Sequence, residues 1–422
     1  MAAVVGLQCL RCGSRYDRLH YAQDCENCHV QSPSNLVVEY ETSFAASRAK
    51  PSLDAGKGLW RYGDLLPVAE TDAITLGEGG SPLHRLSKIG RRLGVESLFG
   101  KDETRSPTWS FKDRLACIAV SVAKKIGSPA IVSSSTGNAG AAVAAYAAKA
   151  GLPCIVFTAK GAAGPLVTQM RVYGATIVET ASKADRWPLM QRAVREFGWF
   201  PTSPFFGPVV GSNPFGIEGY KTLAYEIAEQ MQWQVPHCCV LPVCYGDALL
   251  GMWRGFEEMR SFGWTDRVPK MMAAEIYGSL GAALESGSDT VPDMPQSHDT
   301  VAKSTTATRS TFQALHVLRR SGGVATTVSN ESIMQWQQDL ASAEGLYVEP
   351  ASAGALAAVA QLKCSGHIKS NDTVVALLTA SGLKDPDATA ALQNPLQTMP
   401  RNIQEAFLEL KALKLRTEQS PG

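Results

Sequence analysis

Residues 101–114 read Lys-Asp-Glu-Thr-Arg-Ser-Pro-Thr-Trp-Ser-Phe-Lys-Asp-Arg, and an apolar run follows them directly. Pro107 fixes its own φ angle and restricts the residue before it, so the middle of the stretch is typical of a loop. The run from Leu115 to Val122 ends in lysines and predicts a helix that Ser110 caps. Lys112 therefore lies near the positive end of a helix dipole, which disfavours the charged form of its amine.

A neutral lysine amine is the group that forms a Schiff base with an aldehyde cofactor. The alternative is a solvated lysine at a helix start, and this stretch alone favours that alternative because surface lysines are common. Three further stretches of the chain reverse the balance.

Two of these stretches have the order strand, glycine-containing turn and helix. Residues 133–140 read Ser-Ser-Ser-Thr-Gly-Asn-Ala-Gly between a short apolar strand and an alanine-rich helix, and residues 244–247 read Cys-Tyr-Gly-Asp after the apolar run 238–243. This order presents backbone N–H groups to an anion in α/β folds. In the third stretch, the apolar strand 374–378 ends in Thr379.

Together these stretches resemble the threonine synthase family of pyridoxal-phosphate (PLP) enzymes, which belong to the fold-type II or tryptophan-synthase-β-like group. The resemblance covers about residues 5–390, and no single motif is specific, but five motifs occur in the family's order. These motifs are Ser110-Phe111-Lys112-Asp113-Arg114, Ser135-Thr136-Gly137-Asn138, Glu218-Gly219-Tyr220-Lys221-Thr222, Glu349-Pro350-Ala351-Ser352-Ala353, and Thr379 with Gly382-Leu383-Lys384-Asp385.

The resemblance implies a role for each matching residue. Lys112 would hold PLP and move protons, Asn138 would donate to the phenolic oxygen of the ring, and Thr379 would meet the pyridine nitrogen. A hydroxyl at that nitrogen does not enforce a pyridinium, which favours elimination and replacement over transamination. The cofactor phosphate would lie against Cys244, Tyr245, Gly246, Asp247 and Ala248, and the substrate carboxylate against Ser135, Thr136 and Gly137.

Three positions depart from the family pattern. The family usually has Gly-Asn-x-Gly-Asn where this chain has Cys244-Tyr245-Gly246-Asp247-Ala248. Asp247 would place an anion beside the phosphate, unless its side chain turns away and caps a helix beginning at Ala248. Trp109 stands where the family has Gly and is expected to reshape the substrate pocket. Gly216 stands where threonine synthases have an Arg that helps hold the substrate phosphate, and losing such a contact costs roughly 1.5–3 kcal/mol.

Four of the ten cysteines lie near the N-terminus as Cys9-x-x-Cys12 and Cys25-x-x-Cys28. This spacing predicts a tetrahedral zinc ribbon, and four thiolates leave no open position, so the metal would be structural. Nucleic-acid binding by the ribbon is the rival reading, and the absence of a basic and aromatic run argues against it. The other six cysteines read as small buried thiols.

The 422 residues include 45% hydrophobic and 19% charged residues, which is an ordinary balance for a globular protein of two or three domains. The formal net charge of +1 favours neither nucleic acid nor an anionic membrane as a partner. No apolar run is long enough to span a bilayer, and no signal peptide is evident, so we expect a cytoplasmic enzyme. The resemblance adds the expectation of a homodimer.

We expect an α/β protein with two parallel-sheet domains and PLP in the cleft between them, because short apolar strands alternate with helices. The predicted divisions are a zinc-ribbon-like segment (1–45), a large PLP-binding domain (46–114 and 211–400), a small mobile domain (115–210), and a C-terminal helix and tail (401–422). Residues 284–311 are rich in Ser, Thr, Asp and Pro and predict a flexible loop.

The leading functional hypothesis is a PLP-dependent lyase that performs β/γ-elimination or replacement on a small amino acid without a phosphate arm. The first alternative is a true threonine synthase, which converts O-phosphohomoserine to threonine and phosphate. An alternative of another class is a catalytically silent PLP-fold protein that binds a partner through its ribbon.

Overall fold

The strands of the protein form three sheets in the computed structural model, which describes residues 4–17, 24–28, 32–41, 49–51, 55–161, 164–181, 185–393 and 398–419. The strands are β1 Val4–Cys9, β2 Arg15–Tyr16, β3 Leu36–Tyr40, β4 Leu83–Arg85, β5 Ser97–Asp102, β6 Ile131–Ser134, β7 Cys154–Ala159, β8 Thr176–Thr180, β9 Phe200–Pro201, β10 Cys238–Pro242, β11 Lys270–Glu275, β12 Ala325–Thr327 and β13 Thr373–Leu378. The helices are α1 Ser87–Leu93, α2 Lys112–Lys125, α3 Asn138–Ala150, α4 Pro165–Val172, α5 Arg186–Phe197, α6 Pro214–Ile217, α7 Lys221–Gln230, α8 Asp247–Ser261, α9 Ser279–Glu285, α10 Phe312–Ser321, α11 Asn330–Glu344, α12 Pro350–Cys364, α13 Asp387–Ala390 and α14 Ile403–Gln419.

The largest sheet has six strands in the order β12-β11-β10-β13-β5-β4. All neighbouring pairs are parallel except β4 and β5, so one antiparallel strand closes one edge. The central strands β10 and β13 are almost wholly buried apolar runs, as expected where helices cover both faces of a parallel sheet.

A second, four-stranded sheet has the order β8-β7-β6-β9, and all its pairs are parallel. The alanine-rich helix α3 packs against α2, and its small side chains are almost all buried. The predicted strands 238–243 and 374–378 are observed as β10 and β13, each with one end moved by one residue. We retain the predicted domain division as a proposal. The six-stranded sheet takes all its strands from the predicted large domain, and the four-stranded sheet takes all its strands from the predicted small domain.

Two glycines let the segment 214–220 approach α2 closely. A Cβ atom on Gly219 would lie 1.8 Å from the carbonyl oxygen of Arg114, and one on Gly216 would lie 2.8 Å from Cγ of Leu115. Gly216 is therefore needed for packing against the helix that begins at Lys112, a reason that the sequence pattern alone does not show.

The remaining elements lie at the two ends of the chain. The antiparallel sheet β2-β1-β3 is formed by the segment that carries the four N-terminal cysteines. Residues 387–422 form a separate unit that contains α13 and α14, and α14 agrees with the helix predicted for the tail. Among the described residues, no helix is both long and apolar enough to cross a bilayer.

Candidate active site

The predicted site residues follow the carboxyl ends of parallel strands, which is where ligands bind in open α/β sheets. Thr379 follows β13, the loop 244–248 follows β10, and the loop 135–138 follows β6. Lys112 is the first residue of α2, and its loop is joined to the end of β13 by a hydrogen bond from Phe111 N to Thr379 O of 2.8 Å. The fold therefore brings residues from both parallel sheets to one region.

The side-chain amine of Lys112 makes no hydrogen bond or ion pair with another described residue. Its Nζ atom lies 4.5 Å from the ring centroid of Phe111 and 5.8 Å from that of Tyr220. Burial lowers the pKa of the amine, while the nearby Asp247, Cys244 and Glu349 oppose that shift. The structure thus holds an amine with a lowered pKa beside two stacked aromatic rings, which suits a nucleophilic or basic lysine.

The expected cap of this helix is not formed. Helix α2 begins at Lys112 with Phe111 before it, and the buried Ser110 hydroxyl has no hydrogen-bond partner among the described residues. Ser110 instead forms an antiparallel bridge with Ala380 through its backbone. The prediction of Ser110 as a side-chain cap is wrong, because this bridge fixes the residue outside the capping position.

Asn138 begins α3 and is buried near the start of α12. Its Nδ2 atom donates to Oε2 of Glu349 at 2.9 Å, and its Oδ1 atom has no partner among the described residues. Ser304 donates to the other oxygen of Glu349 at 3.2 Å. Burial raises the pKa of Glu349, although the hydrogen bond from Asn138 opposes the rise. Glu349 lies in a motif quoted from the sequence, but sequence reasoning gave it no role in the site.

Thr379 is buried, and its hydroxyl pairs with that of Ser352 at 2.5 Å. The hydroxyl of Ser352 also accepts from Ala380 N at 3.0 Å, so the pair is fixed to the end of β13. Each hydroxyl is able to donate one hydrogen bond and to accept another. The Thr379 hydroxyl is therefore able to accept from Ser352 and to donate to a neutral ring nitrogen.

The loop of residues 244–248 (the phosphate loop) is shaped for an anion. Gly246 has a φ of +77°, and a Cβ there would lie 2.5 Å from Cβ of Ala314. The backbone N–H groups of Gly246, Asp247 and Ala248 donate to no other described residue outside α8. They form the positive end of a 15-residue helix, the kind of cradle that holds phosphate.

The Asp247 carboxylate lies on the same side of this loop as the Tyr245 carbonyl, because Gln313 Nε2 donates to both. It accepts from Ser212 N at 3.0 Å, from Ser212 Oγ at 2.6 Å and from Gln313 Nε2 at 2.7 Å. The expected cap is wrong, because α8 begins at Asp247 itself and the carboxylate bonds to residues outside that helix. That the carboxylate faces away from a bound phosphate stays a prediction.

Some polar groups of the loop predicted to hold the substrate carboxylate form hydrogen bonds with nearby residues of the same segment. The Ser135 hydroxyl accepts from Gly137 N at 3.1 Å and from Gly140 N at 3.0 Å. The Thr136 side chain is exposed, and Gly137 has no neighbour within 4 Å of its missing Cβ. The hydroxyls of Ser133 and Ser134 in β6 are buried without partners among the described residues.

Trp109 adopts a left-handed backbone conformation with a φ of +64°, which is unusual for an aromatic residue. Its carbonyl accepts from Ser381 N at 3.0 Å, and its side chain is 50% exposed. A positive φ explains why glycine suits this position. The exposed indole is not packed into the protein core, so the expectation that it reshapes the substrate pocket stays a prediction.

Two charged residues that sequence reasoning left without a role hold the loop before Lys112. Asp113 accepts from Thr108 N at 2.8 Å and from its hydroxyl at 2.6 Å. Lys384 Nζ donates to Thr108 O at 2.6 Å, and burial lowers the pKa of this lysine to about 8. Asp113 and Lys384 both occur in motifs quoted from the sequence, so the sequence did contain a signal for them.

A buried charge cluster lies beside this loop and joins four parts of the chain. Arg114 forms bonds of 2.8 Å with both oxygens of Glu103 and both oxygens of Glu226. Lys101 Nζ donates to Glu226 at 2.7 Å, and Ser81 donates to Glu103. The glycine-rich loop of residues 77–83 contacts this cluster through Ser81 and through Gly80 N, which donates to Glu226 at 2.8 Å.

The loop predicted over 284–311 is irregular from residue 286 with one short turn, whereas residues 284 and 285 belong to α9. Its flexibility stays a prediction, and its C-terminal end is bonded to the site. Ser310 Oγ donates to Cys244 O at 2.7 Å, and Thr311 Oγ1 donates to Tyr245 O at 2.7 Å. The segment therefore supports the phosphate loop from outside.

The four N-terminal cysteines meet at one point, with all their sulfur atoms within 4.8 Å of one another. The Sγ atoms of Cys9 and Cys28 are 3.9 Å apart, and those of Cys12 and Cys25 are 3.5 Å apart. Tetrahedral zinc with bonds of about 2.3 Å requires sulfur separations of about 3.8 Å. Cys9 Sγ also accepts from the N–H groups of Arg11 and Cys12, so these residues fit a metal ion.

The residues brought together around Lys112 also fit PLP. An amine of lowered pKa and a helix N-terminus with free N–H groups are what an aldehyde and a phosphate require. Asn138 Nδ2 carries two hydrogens and donates one to Glu349, so the other is able to donate to the phenolic oxygen of the ring. The hydroxyl pair of Thr379 and Ser352 completes this set.

Comparisons with known proteins agree with this geometry. A family model described as pyridoxal-phosphate dependent enzyme matches residues 74–380. The chain is 32% identical to the threonine synthase of Methanocaldococcus jannaschii over 92% of this chain and 96% of that protein. It is 37% identical to the threonine synthase of Bacillus sp. (strain ULM1) over 85% of this chain and 99% of that protein. Maize serine racemase has a similar fold, with a TM-score of 0.62 and 21% identity over 74% of this chain and 91% of that chain.

Proposed function

Because the chain belongs to the threonine synthase family of PLP-dependent enzymes, we propose that it is a lyase that uses PLP held at Lys112 to act on a small amino acid. Its fold is fold type II, with two parallel-sheet α/β parts and an N-terminal cysteine cluster, as the sequence predicted. The observation that carries the proposal is the amine of Lys112, unpaired and of lowered pKa, beside the phosphate loop.

When bound, PLP supplies an electron sink for the electrons released at the substrate α-carbon. Lys112 removes or returns the α-proton at Nζ, and its lowered pKa favours the neutral, basic form of the amine. The N–H groups of residues 246–248 bind the cofactor phosphate, and Thr379 donates to the ring nitrogen. Asn138, held by Glu349, orients the ring.

Ser135, Thr136 and Gly137 hold the substrate carboxylate in this proposal. A small amino acid whose β- or γ-substituent leaves would then lose its α-proton to Lys112. For a β-hydroxy amino acid such as serine, loss of water and hydrolysis of the resulting enamine give a 2-oxo acid and ammonia.

The preference for a substrate without a phosphate arm follows from Gly216. A side chain at position 216 would clash with Leu115 in α2. An arginine at this position would therefore have to displace α2 before it contacted a substrate phosphate. The specific observation that favours the second candidate, threonine synthase, is the 32–37% identity to proteins of that name over most of the chain.

One pair of assays separates the two candidates. Purified protein loaded with PLP is given O-phosphohomoserine, and phosphate and threonine are measured; in parallel it is given L-serine or L-threonine, and 2-oxo acid and ammonia are measured. Formation of 2-oxo acid without phosphate release supports the lyase. Robust release of phosphate together with threonine contradicts it and supports threonine synthase.

The Lys112→Ala variant tests the assignment of the lysine in both assays. It should lose turnover and the yellow absorbance that PLP acquires on binding a lysine, while the apoprotein keeps its circular dichroism. An unchanged yellow absorbance would refute the assignment. A wild-type protein that acquires no absorbance with PLP would favour the catalytically silent alternative.

The four-cysteine segment, defined as the described residues between 4 and 41, holds one structural zinc ion in this proposal. Metal analysis of the native protein should give about one zinc per chain. A metal-free protein with four readily modified thiols in the native state would refute the site. The homodimer, the cytoplasmic location and the absence of nucleic-acid and membrane partners stay predictions from the sequence.

A further inference from the structure

The four-cysteine segment contacts the rest of the protein through a buried asparagine. Asn35 Nδ2 donates to Gln313 Oε1 at 2.8 Å, and both residues are almost fully buried. The backbone of Asn35 is attached to the first cysteine turn, because its carbonyl accepts from Leu10 N at 3.2 Å. Ser34, next to it, accepts from Cys25 N at 2.9 Å. The position of the Asn35 amide therefore depends on both turns that carry the thiols.

Gln313 in turn holds the phosphate loop. It is the second residue of α10, and its Nε2 atom donates to Tyr245 O at 2.7 Å and to Asp247 Oδ1 at 2.7 Å. A peptide bond is planar and trans, so fixing the direction of the Tyr245 carbonyl also fixes the opposite direction of the Gly246 N–H. Thr311 Oγ1 donates to the same carbonyl at 2.7 Å, so Gln313 and Thr311 together set the orientation of a donor expected to bind the cofactor phosphate.

The same amide controls a negative charge. Gln313 and Ser212 together hold the Asp247 carboxylate on the same side of the loop as the Tyr245 carbonyl. Without the donor from Gln313, this carboxylate loses one of the groups that keep it from facing an incoming phosphate. Repulsion between two anions at short distance weakens binding.

A second contact supports the same coupling. Arg11, between Cys9 and Cys12, places its guanidinium carbon 3.6 Å from the ring centroid of Phe312 and donates to Asp289 O at 2.8 Å. Phe312 directly precedes Gln313 at the start of α10. The first cysteine turn is thus packed on the helix end that carries Gln313.

From these contacts we infer that Gln313 is a positioning residue through which the metal-bound four-cysteine segment fixes the phosphate loop, so that metal in the segment strengthens the binding of PLP. This inference rests on the proposed function, because it requires the loop to bind the PLP phosphate. It assigns to the cysteine segment a task in the active site in addition to its own folding.

The test is a coupling cycle between zinc and Asn35. The dissociation constant of PLP is measured by titrating the apoprotein, with zinc bound and after removal of zinc by a chelator, for wild type and Asn35→Ala. We expect Asn35→Ala to weaken PLP binding about tenfold, the typical effect of one lost buried hydrogen bond. Zinc removal should weaken binding to wild type similarly, but add little in the variant, since both changes break the same connection.

Asn27→Ala is the matched control, because Asn27 lies in the same segment and donates only within it, to Ser14 at 2.9 Å. Its PLP affinity should equal that of wild type. Equal PLP affinity of wild type and Asn35→Ala, or an undiminished effect of zinc removal in Asn35→Ala, would overturn the inference while leaving the proposed function intact. Failure of zinc-bound wild type to bind PLP at all would instead overturn the proposed function and the inference with it.

Hydrogen exchange provides a second measurement that needs no variant. Removal of zinc from the wild-type apoprotein should speed exchange in peptides covering residues 244–250 and 311–318, while a peptide covering β7 stays unchanged. Unchanged exchange at 244–250 on loss of zinc would contradict the inference even if Asn35→Ala fails to fold.

Discussion

The hydroxyl pair of Thr379 and Ser352 is the smallest feature of the site whose role is open to a direct test. Thr379→Val keeps the shape of the side chain but removes its hydroxyl from a buried position beside Ser352. We expect a loss of about 1–2 kcal/mol in unfolding free energy and about tenfold weaker PLP binding, since a buried hydrogen-bonding group loses its partner. Urea denaturation and PLP titration measure the two effects.

Thr379→Ser is the conservative partner of this variant, because it restores the hydroxyl. If the hydroxyl meets the ring nitrogen, Thr379→Ser should recover most of the PLP affinity. A Thr379→Val protein that is destabilised yet binds PLP as wild type does would show that the pair serves only the fold.

Lys384 carries a pH dependence whose sign follows from its burial. Burial lowers the pKa of its amine from 10.5 to about 8, so between pH 8 and 10.5 the unfolded chain holds a proton that the folded protein lacks. Stability therefore rises with pH across this window, by about 3 kcal/mol in total, and is constant with respect to this group below it.

Lys384→Met should remove this contribution. The difference in unfolding free energy between wild type and Lys384→Met, measured by urea denaturation at pH 8 and at pH 10, should move in favour of wild type as the pH rises. Lys124→Met, at an exposed position of α2, controls for the loss of a lysine as such. A difference that stays flat from pH 8 to 10 would contradict the lowered pKa.

At the scale of elements, the close approach of residues 218–220 to α2 positions the start of the helix that carries Lys112. Gly219→Ala would bring Cβ to 1.8 Å from a backbone oxygen that has no rotamer to change. We expect a loss of about 3 kcal/mol in unfolding free energy, near the upper end of the usual cost of overpacking. PLP affinity should fall as well, because relief of the clash moves α2.

Gly354→Ala is the control for this substitution. Gly354 lies buried within α12, and a Cβ there would meet only Val328 at the ordinary contact distance of 3.8 Å. It should be neutral or stabilising by up to about 1 kcal/mol, because alanine favours the helix. Thermal shift and PLP titration distinguish the two variants, and equal behaviour would show that α2 adjusts without cost.

The same elements show how far the sequence reaches. Buried apolar strands are continuous runs in the chain, so β10 and β13 were predictable within one residue from local pattern alone. The resemblance of the motifs to those of the family also singled out Lys112, Asn138 and Thr379, whose roles stay predictions. The fold brings the three residues to the region where ligands bind in open α/β sheets.

Contacts between distant parts of the chain account for what the sequence did not predict. Asp247 was read as a local cap, but its partners Ser212 and Gln313 are 35 and 66 residues away. Ser110 was read in the same way, although its backbone pairs with Ala380. In both cases a tertiary bond replaced the local one, and single-sequence patterns contain no record of such partners.

At the scale of the whole molecule, the buried cluster around Arg114 joins the loop 77–83, the end of β5, α2 and α7. Two carboxylates and two cations lie there with no exposure. Although burial alone disfavours the Glu226 carboxylate, Arg114 and Lys101 hold its pKa below the usual range. Every charge has a partner, so removal of any one leaves another buried and uncompensated.

Arg114→Met tests this dependence, since it keeps an unbranched side chain but removes the charge and all five of the donors. Breaking a buried ion pair from one side typically costs about 3–5 kcal/mol, and Glu103 and Glu226 would both lose their bidentate partner. Denaturation should show a loss of at least this size, whereas Arg92→Ala, which breaks the exposed pair with Asp339, should cost less than about 1 kcal/mol. Added salt should leave the Arg114→Met effect nearly unchanged, because a buried network is little screened. If the two variants lose similar stability, the cluster does not hold the four parts together, and the position of Lys112 must depend on the apolar packing of α2 instead.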